Sequence, residues 1–304
     1  MVSQAIGLAS AVGFPFEVKT IYLRAPWRWL PGHWAARLGA FSSLDSQDNI
    51  SSPWPDLLIT CGRRSVAIAI AIRELSQGHT FTVHIQDPRV PTRYFDMVVP
   101  PEHDHLVGAN VFPTKGALHK LTREILNDAA AHFRELFSTV NKPFVAVLIG
   151  GKSKAYQFSA TRMQELATQL KSLVNDHSAG LVITTSRRTG AENTQILHDT
   201  LADTDAVIVD ETGENPYLGM LALADSIIVT EDSVSMVSEA CFTGKPVYIA
   251  KLAGGSKRFT AFHQSLQDAK FTRIFTGKLE SWSYKSLDEN QRIAAIIQSK
   301  LAKE

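Results

Sequence analysis

Short apolar runs alternate with glycine, proline and polar residues along the whole chain. In the clearest case, residues 225–251, the β-branched run 226–230 is followed by Glu231 and Asp232, by apolar residues at helical spacing, and by Gly244 before a second apolar run. An apolar run this short suits a buried parallel strand rather than a core helix. The pattern therefore predicts a strand, a helix and a second strand, which together form a right-handed parallel βαβ unit.

The same alternation on both sides of this unit predicts an α/β protein with two Rossmann-like domains, each a parallel sheet with helices on both faces. The polar residues 138–143 have linker character, so we place domains at residues 1–138 and 139–285 and a final segment at 286–304. An amphipathic pattern predicts a last helix at residues 288–301. The predicted strands lie at residues 18–23, 56–61, 80–86, 95–99, 111–114, 144–149, 181–185, 206–209, 226–230 and 247–250.

Composition narrows the class of protein. With 304 residues, 44% of them hydrophobic and 20% charged, the chain can build two globular domains. The net charge of +1 provides no basic surplus, so we expect no nucleic-acid partner. Cys61 and Cys241 lie in apolar segments and are expected to be buried free thiols of a reducing compartment. Because neither a spanning apolar run nor a signal peptide is evident, we expect a cytoplasmic protein.

The helix that follows residues 226–230 begins with hydroxyl side chains. A helix N-terminus offers free N–H groups and a partial positive charge, which suit a phosphate. The hydroxyl-rich start of this helix, with Ser233 and Ser235, is therefore a candidate phosphate site, and Glu239, further along the helix, is within reach of the hydroxyl groups of a ribose. The alternative is that the serines only cap the helix and that Glu239 is a solvated helix residue.

Three further loops at strand ends of the second half carry glycines, hydroxyls and cations. The segment Gly150-Gly151-Lys152-Ser153 lacks the spacing of a P-loop, but its glycines allow a ligand to approach the backbone. These loops suit a nucleoside diphosphate better than a metal ion or a peptide, so no metal cofactor is expected. The candidates are Gly150, Gly151, Ser153, Ser186, Arg187, Arg188, Asn215 and Tyr217, and a later glycine-rich loop adds Lys257 and Arg258.

The first half contains the same arginine pattern as the second. Gly62-Arg63-Arg64-Ser65, like Ser186-Arg187-Arg188-Thr189, lies between a predicted strand and a predicted helix. Two cations at a helix start are unfavourable unless they meet an anion, although a solvated pair or a salt bridge is the alternative. Strand-end loops of this half supply the further candidates Gln86, Asp87, Arg89 and His119, the last of which could act as a base or have a structural role.

Two other features of the first half are candidate functional signals. His103, Asp104 and His105 match no standard metal site, so no metal is predicted there. Residues 25–34 form a tryptophan-rich, proline-punctuated loop with arginines nearby. This composition can mark contact with a membrane surface or a protein partner, and the alternative is that the indole rings pack onto the domain.

A series of motifs along the chain resembles the mitochondrial fission ELM-type family, whose members occur in plants and many bacteria. This family is distantly similar to the GT-B glycosyltransferases, in which two Rossmann-like domains face each other across a cleft. The resemblance covers residues 3–300. The motifs, in order, are RAPWRWLP, CGRRS, VHIQDPR, FDMVVPPEHD, TKGALH, LIGGKSKAY, TSRRT, GENPYLGMLALAD, TEDSVSMVSEACFTGKPVY and GGSKRF.

The resemblance implies that the second domain holds a nucleotide-diphosphate sugar and that no metal is required. By this resemblance Ser233 and Ser235 would meet the diphosphate, Glu239 the ribose, and residues 150–153 the phosphates or the sugar. The first domain would then lie on the acceptor or partner side, and the last helix would cross back to it.

The start of the chain departs from the family pattern, because only residues 3–9 correspond to the usual glycine-containing loop. We therefore expect the first strand of the N-terminal domain to be missing, with an exposed sheet edge or an unfilled slot in its place. In GT-B enzymes this loop often carries the base, so the catalytic residues of this chain remain unassigned.

Two classes of function agree with these features. The first is metal-independent glycosyl transfer from a nucleotide sugar. The second is a non-catalytic regulator of membrane fission, because plant members of the family help to recruit a dynamin-like GTPase. The second function would add attachment at a membrane periphery to the cytoplasmic location, at the mitochondrial outer surface in a eukaryote.

Overall fold

The computed structural model describes residues 1–21, 25, 32–37, 50–209 and 213–302. By its internal contacts the chain divides into two compact units. The first unit comprises Met1–Lys120 together with Asp288–Glu304, and the second unit comprises Leu121–Leu287.

The first unit is built on a parallel sheet. Its strands are β1 (Leu57–Cys61), β2 (Phe81–Ile85) and β3 (Met97–Val99), and its first three helices are α1 (Val2–Val12), α2 (Gly32–Arg37) and α3 (Val66–Leu75). The strands follow the order β1–β2–β3, and the register places Leu57 opposite Phe81 and Val83 opposite Met97. Every residue of β2 and β3 is buried, which explains why both strands consist, apart from His84, of apolar or β-branched residues.

Some sequence predictions for the first unit differ from the structure. Residues 18–21 form no strand, so that part of the prediction for residues 18–23 is wrong, and the rest of it lies outside the described residues. Val18 is 51% exposed, so its β-branched side chain packs in no sheet. The predicted strand at residues 111–114 contributes only isolated parallel bridges, from Val111 to Val98 and from Thr114 to Pro101. Most of the tryptophan-rich loop also lies outside the described residues.

The second unit contains a larger parallel sheet of six strands and a short antiparallel pair. The six strands are β4 (Phe144–Leu148), β6 (Gly180–Thr184), β7 (Val207–Val209), β8 (Ser226–Thr230), β9 (Val247–Ala250) and β11 (Thr272–Ile274). Their order across the sheet is β11–β9–β8–β4–β6–β7, and every pairing is parallel. The antiparallel pair consists of β5 (Tyr156–Gln157) and β10 (Ala253–Gly254).

Helices cover both faces of the six-stranded sheet. They are α4 (Arg123–His132), α5 (Ala160–His177), α6 (Ala191–Leu201), α7 (Tyr217–Leu223), α8 (Val234–Phe242) and α9 (Lys257–Asp268). Alternate residues of β4 point into two separate cores, since Phe144 and Ala146 lie in one apolar cluster and Val145 and Val147 in the other. This two-sided burial defines a doubly wound α/β unit.

The last helix, α10 (Glu289–Leu301), belongs to the first unit by its contacts. It packs against α1, and Leu8 shares an apolar cluster with Ile293 and Ile297. A Cβ atom added at Gly7 would lie 2.0 Å from the carbonyl oxygen of His119, so this close approach requires a glycine.

The contact boundary differs from the predicted linker at residues 138–143. Helix α4 precedes that linker yet belongs to the second unit, because it packs against α7. Its N-cap is Thr122, whose hydroxyl accepts a hydrogen bond from the backbone N–H of Ile125.

Both cysteines are free thiols, and Cys241 is buried as expected, whereas Cys61 is only partly buried.

Candidate functional site

The strand order of the second unit creates a switch point between β4 and β8. From β4 the chain proceeds outward through β6 to β7, and it then continues on the other side of β4 through β8, β9 and β11. Open α/β sheets bind ligands in the crevice outside the carboxyl ends of the strands at such a point. In this chain the loops that follow β4 and β8 begin at Ile149 and Glu231.

A buried carboxylate, that of Asp232, is the centre of a hydrogen-bond network at this switch point. Its side chain is 0% exposed. One oxygen, Oδ2, accepts from the backbone N–H of Gly151 at 3.0 Å and forms an ion pair with Nη1 of Arg188 at 2.8 Å. The other, Oδ1, accepts from the hydroxyl of Thr230 at 2.7 Å. These three donors offset the cost of removing a charged carboxylate from water.

The two glycines after β4 are required by this network. A Cβ at Gly150 would lie 2.4 Å from both carboxyl oxygens of Asp232, and a Cβ at Gly151 would lie 2.1 Å from the carbonyl oxygen of Arg188. The N–H of Gly150 donates to the Thr230 hydroxyl at 2.8 Å, and that of Gly151 donates to Asp232. Both N–H groups therefore already have acceptors within the chain, and contact of this loop with a phosphate stays a prediction.

The loop after β6 is joined directly to the loop after β4. The carbonyl oxygen of Gly150 accepts from the hydroxyls of Ser186 at 2.9 Å and Thr189 at 2.5 Å. The backbone N–H of Lys152 donates to the carbonyl of Arg188 at 3.1 Å. These bonds hold the backbone of Arg188 beside the switch point. The Arg188 side chain remains 45% exposed, so it can reach both Asp232 and a ligand.

Helix α8 begins at the same edge of the sheet. Ser233 is its N-cap, with a non-helical φ of −113°, and its hydroxyl accepts from the backbone N–H of Met236 at 3.4 Å. This is the capping role considered as the alternative for the serines. Ser235 is exposed. The N–H groups of Val234 and Ser235 have no intrahelical acceptor by position, so they remain available to an anion.

Glu239 is partly buried on α8 and bonded to a second helix. The hydroxyl of Tyr217, the first residue of α7, donates to Oε2 of Glu239. Burial raises the pKa of Glu239 above its usual value, and the bond from Tyr217 counteracts part of this rise. Burial and the nearby Glu239 together raise the pKa of Tyr217 well above its usual value, so the phenol stays protonated and donates. The alternative that Glu239 is a solvated helix residue is wrong.

The five other predicted residues of the second unit either bond to nearby backbone or are exposed. The hydroxyl of Ser153 accepts from the backbone N–H groups of Ala155 at 3.2 Å and Tyr156 at 3.1 Å. The side-chain oxygen of Asn215 accepts from the backbone N–H of Tyr217 at 3.0 Å. Lys257 and Arg258 are exposed in the first turn of α9, and Arg187 is exposed beside Arg188.

The arginine pair of the first unit lies in a different environment. Arg63 and Arg64 form a short 3-10 turn with Ser65 before α3, and both arginines are exposed. Neither forms an ion pair with any residue that the structure describes.

The remaining candidates of the first unit have partners within that unit. The side-chain amide of Gln86 donates to the side-chain oxygen of Gln4 at 3.1 Å. Arg89 forms an ion pair with Asp87 at 3.0 Å. His119 is buried, and its backbone N–H and carbonyl both bond to the Asn290 side chain. The structural role weighed for His119 thus has direct contacts.

The two acidic residues after β8 were predicted to end the strand, with Asp232 as a possible helix cap, and neither was predicted as part of the site. Beside Asp232, the carboxylate of Glu231 accepts from the backbone N–H of Leu252 at 2.7 Å. Its carbonyl bonds to Nε2 of His263 at 2.8 Å. Burial raises the pKa of Glu231 and lowers that of His263. Two consecutive acids at the end of an apolar strand were the available signal.

Two negative findings apply to the described residues. No group of three or more histidine, cysteine or acidic side chains is arranged to hold a metal ion there. None of the described helices is long and apolar enough to cross a membrane.

The fold and the switch-point geometry define a class of protein with GT-B architecture. The structure is similar to MurG of Acinetobacter baumannii, with a TM-score of 0.51 at 14% identity over 99% of this chain and 89% of that one. It is also similar to the UDP-GlcNAc 2-epimerase of Methanocaldococcus jannaschii, with a TM-score of 0.50 at 13% identity over 81% and 77% of the two chains. At these identities the likeness defines the fold alone, and it confirms the predicted fold class.

Sequence comparison identifies the family. The model of the family described as "Mitochondrial fission ELM1" matches residues 1–301, so the chain belongs to this family. The mitochondrial fission protein ELM1 of Arabidopsis thaliana is 34% identical over 276 residues, which cover 82% of this chain and 64% of that protein. An uncharacterised protein of Rickettsia prowazekii is 29% identical over 297 residues, which cover 83% and 81% of the two chains. The chain therefore spans less than two thirds of its plant relative.

Proposed function

We propose that the second unit binds a nucleoside diphosphate sugar at the carboxyl ends of β4 and β8. The observation that carries this proposal is the partly buried Glu239 carboxylate on the same helix whose N-terminus lies beside the Asp232–Arg188 pair. At 1.5 Å per residue, about 9 Å of helix axis separates Glu239 from the cap residue Ser233. This spacing supports a ligand with an anionic group at one end and hydroxyl donors at the other.

The diphosphate would lie at the N-terminus of α8. The orphan N–H groups of that helix and its partial positive charge favour an anion. Arg188 adds a guanidinium, which Asp232 holds at this edge while 45% of the arginine side chain stays exposed. Because an arginine presents several donors in a planar fork, it can bond to Asp232 and to a phosphate oxygen at the same time.

The ribose would lie against Glu239. Tyr217 occupies Oε2 of this carboxylate, whereas Oε1 accepts no hydrogen bond from the residues that the structure describes. A carboxylate oxygen that is partly removed from water is a strong acceptor for sugar hydroxyls. The name of one structural neighbour, UDP-GlcNAc 2-epimerase, supports a uridine nucleotide sugar as the first ligand to test.

The reaction that this site would support is glycosyl transfer without a metal ion. Bond cleavage at the sugar develops negative charge on the leaving diphosphate, which the α8 N-terminus and Arg188 would stabilise. The general base and the acceptor are left unassigned, since among the described residues of the second unit no contact identifies a base or an acceptor-binding group.

The first experiment is a thermal-shift screen of nucleoside diphosphates and their sugars in the presence of EDTA. A ligand present at about 100 times its dissociation constant should stabilise the folded protein by roughly 2.7 kcal/mol. The Glu239→Ala variant should bind more weakly by about 1.5–3 kcal/mol, because it loses a charge-assisted hydrogen bond to the ribose. A well-folded protein that no nucleotide stabilises would contradict the proposal.

A second candidate function is favoured by the name of the Arabidopsis relative, a mitochondrial fission protein. In this case the chain would act as a scaffold that recruits a dynamin-like GTPase to a membrane. The test is direct binding of the purified chain to a purified dynamin-like GTPase, with the Glu239→Ala variant in parallel. If the wild type and the Glu239→Ala variant both bind the GTPase and no nucleotide stabilises the wild type, the scaffold function is favoured. If neither the wild type nor the variant binds the GTPase, the result would argue against the scaffold function.

A further inference from the structure

Tyr217 and Glu239 lie on different helices and meet at the ends of their side chains. Tyr217 begins α7, Glu239 lies in the second half of α8, and the phenol donates to Oε2 of the carboxylate. Tyr217 also packs against the apolar cluster on one face of the sheet. The bond therefore joins a rigid aromatic residue to a carboxylate that would otherwise have several rotamers.

Helix α7 is fixed at both ends, which fixes the position of the Tyr217 ring. At its start, the side-chain oxygen of Asn215 accepts from the N–H of Tyr217 at 3.0 Å. At its end, the ammonium group of Lys245 donates to the carbonyls of Leu221 at 3.0 Å and Ala222 at 2.5 Å. In its middle, a Cβ at Gly219 would lie 2.6 Å from the Phe133 side chain, so the helix packs closely against α4.

The pair leaves one half of the carboxylate for a ligand. Tyr217 uses Oε2, and Oε1 has no donor among the described residues. The 2′- and 3′-hydroxyls of a ribose present two donors side by side, and a carboxylate oxygen has two lone-pair sites. A site built to bond to hydroxyl groups rejects an analogue that lacks them, because its acceptor is then left unpaired.

We infer that Tyr217 is a positioning residue that holds Glu239 in the orientation needed for a ribose diol and so makes the site selective for ribonucleotides over deoxyribonucleotides. This inference rests on the proposed nucleotide site. Holding the carboxylate in advance means that the ligand does not have to order it, which is a gain for ribonucleotides alone. A ligand without the diol gains nothing from the orientation of Glu239.

The test is equilibrium binding of UDP and 2′,3′-dideoxy-UDP to the wild type and to Tyr217→Phe by isothermal titration calorimetry. The wild type should bind UDP at least about 10-fold more tightly than the dideoxy analogue. Tyr217→Phe should lower this ratio to about 3-fold or less, with the loss confined to UDP. Tyr248→Phe is the matched control, because its buried hydroxyl donates to the backbone carbonyl of Glu280 at 2.8 Å and should leave the ratio unchanged.

A second variant covers the case in which Tyr217→Phe does not fold. Asn215→Ala removes the acceptor of the Tyr217 N–H without altering the ring, and it should lower the ratio in the same direction by a smaller factor. Equal weakening of UDP and dideoxy-UDP in both variants would show a merely structural role and overturn the inference. Wild-type protein that binds neither nucleotide would instead overturn the proposed site itself. Wild-type protein that binds both nucleotides equally would overturn the assignment of Glu239 to the ribose.

Discussion

The chain contains two arginine pairs in the same sequence setting, and the structure separates them. Arg63 and Arg64 follow β1 and precede α3, and Arg187 and Arg188 follow β6 and precede α6. Both arginines of the first pair are exposed and form no ion pair with described residues. In the second pair, Arg188 bonds to a carboxylate that is 0% exposed. Similar local sequences therefore have different structures. The first arginine pair is solvated, whereas Arg188 of the second pair belongs to a buried hydrogen-bond network.

The difference comes from the neighbouring strand and not from the arginines. Asp232 reaches Arg188 because β8 lies on one side of β4 and β6 on the other, so the loops of three strands meet at one edge. The first-unit sheet has β1 beside β2, and no acidic side chain from β2 or β3 pairs with Arg63 or Arg64 among the described residues. An arginine pair becomes a candidate anion site only where the topology supplies a buried partner that orients it.

The largest expected effect on stability follows from removing Asp232, the buried partner of Arg188. Asp232→Ala leaves the Gly151 N–H, the Thr230 hydroxyl and Arg188 without their acceptor. We expect a loss of about 3 kcal/mol in the free energy of unfolding, at the low end for a buried ion pair because Arg188 is partly solvated. Urea denaturation of the variant and the wild type measures this loss.

The arginine pair of the first unit provides the control for this variant. Arg63→Ala and Arg64→Ala should each change the free energy of unfolding by no more than about 0.5 kcal/mol, as for other exposed positions. A loss of similar size in Asp232→Ala and in either control would contradict the contrast between the two arginine pairs.

An intermediate effect is expected at the glycine that approaches Arg188. Gly151→Ala places a Cβ 2.1 Å from a backbone carbonyl oxygen, which has to shift. We expect a loss of roughly 2 kcal/mol from this overpacking, measured by urea denaturation. Gly213→Ala is the matched control, because nothing lies within 4 Å of its added Cβ. Equal stability of the two variants would mean that the loops after β4 and β6 are less closely joined than described.

The smallest effect concerns Glu239 in the absence of ligand. Burial raises its pKa in the folded state, so over the interval between the unfolded and folded pKa values the folded protein holds a proton that the unfolded chain has lost. The contribution of Glu239 to the free energy of unfolding therefore falls as the pH rises through that interval. The cost of holding the ionised carboxylate in its partly buried site persists at neutral pH. Glu239→Gln should raise the melting temperature slightly at pH 7, and this gain should disappear at pH 4. A lower melting temperature than wild type at pH 7 would contradict this prediction.

The sequence predicted the strands of the second unit closely, and the physical reason is burial on both faces. Residues 144–149 and 226–230 were predicted as strands, and the structure has β4 at Phe144–Leu148 and β8 at Ser226–Thr230. The strand prediction for residues 18–21 was wrong because local β propensity does not supply a neighbouring strand, and Val18 stays exposed. The contact-based division joins α4 to the second unit, ahead of the predicted linker, because α4 packs on α7 through a tertiary contact that local sequence does not show.

The candidate site was predictable in its location and only partly in its chemistry. Strand ends, glycines and a capped helix indicated the edge of the sheet at which Gly150, Arg188 and Ser233 lie. Local spacing could not show that the glycines make room for the carboxylate of Asp232, because that contact joins residues far apart in sequence. The bond from Tyr217 to Glu239 was hidden for the same reason.

The measurement that tests the central claim most directly is hydrogen–deuterium exchange with and without UDP, read by mass spectrometry at peptide resolution. We expect slower exchange on UDP binding at residues 150–153 and 186–189 and in the first turn of α8, with no change at residues 62–65. Protection at residues 62–65 without protection at the start of α8 would place the nucleotide in the first unit and contradict the account. Binding without protection in either region would also contradict it.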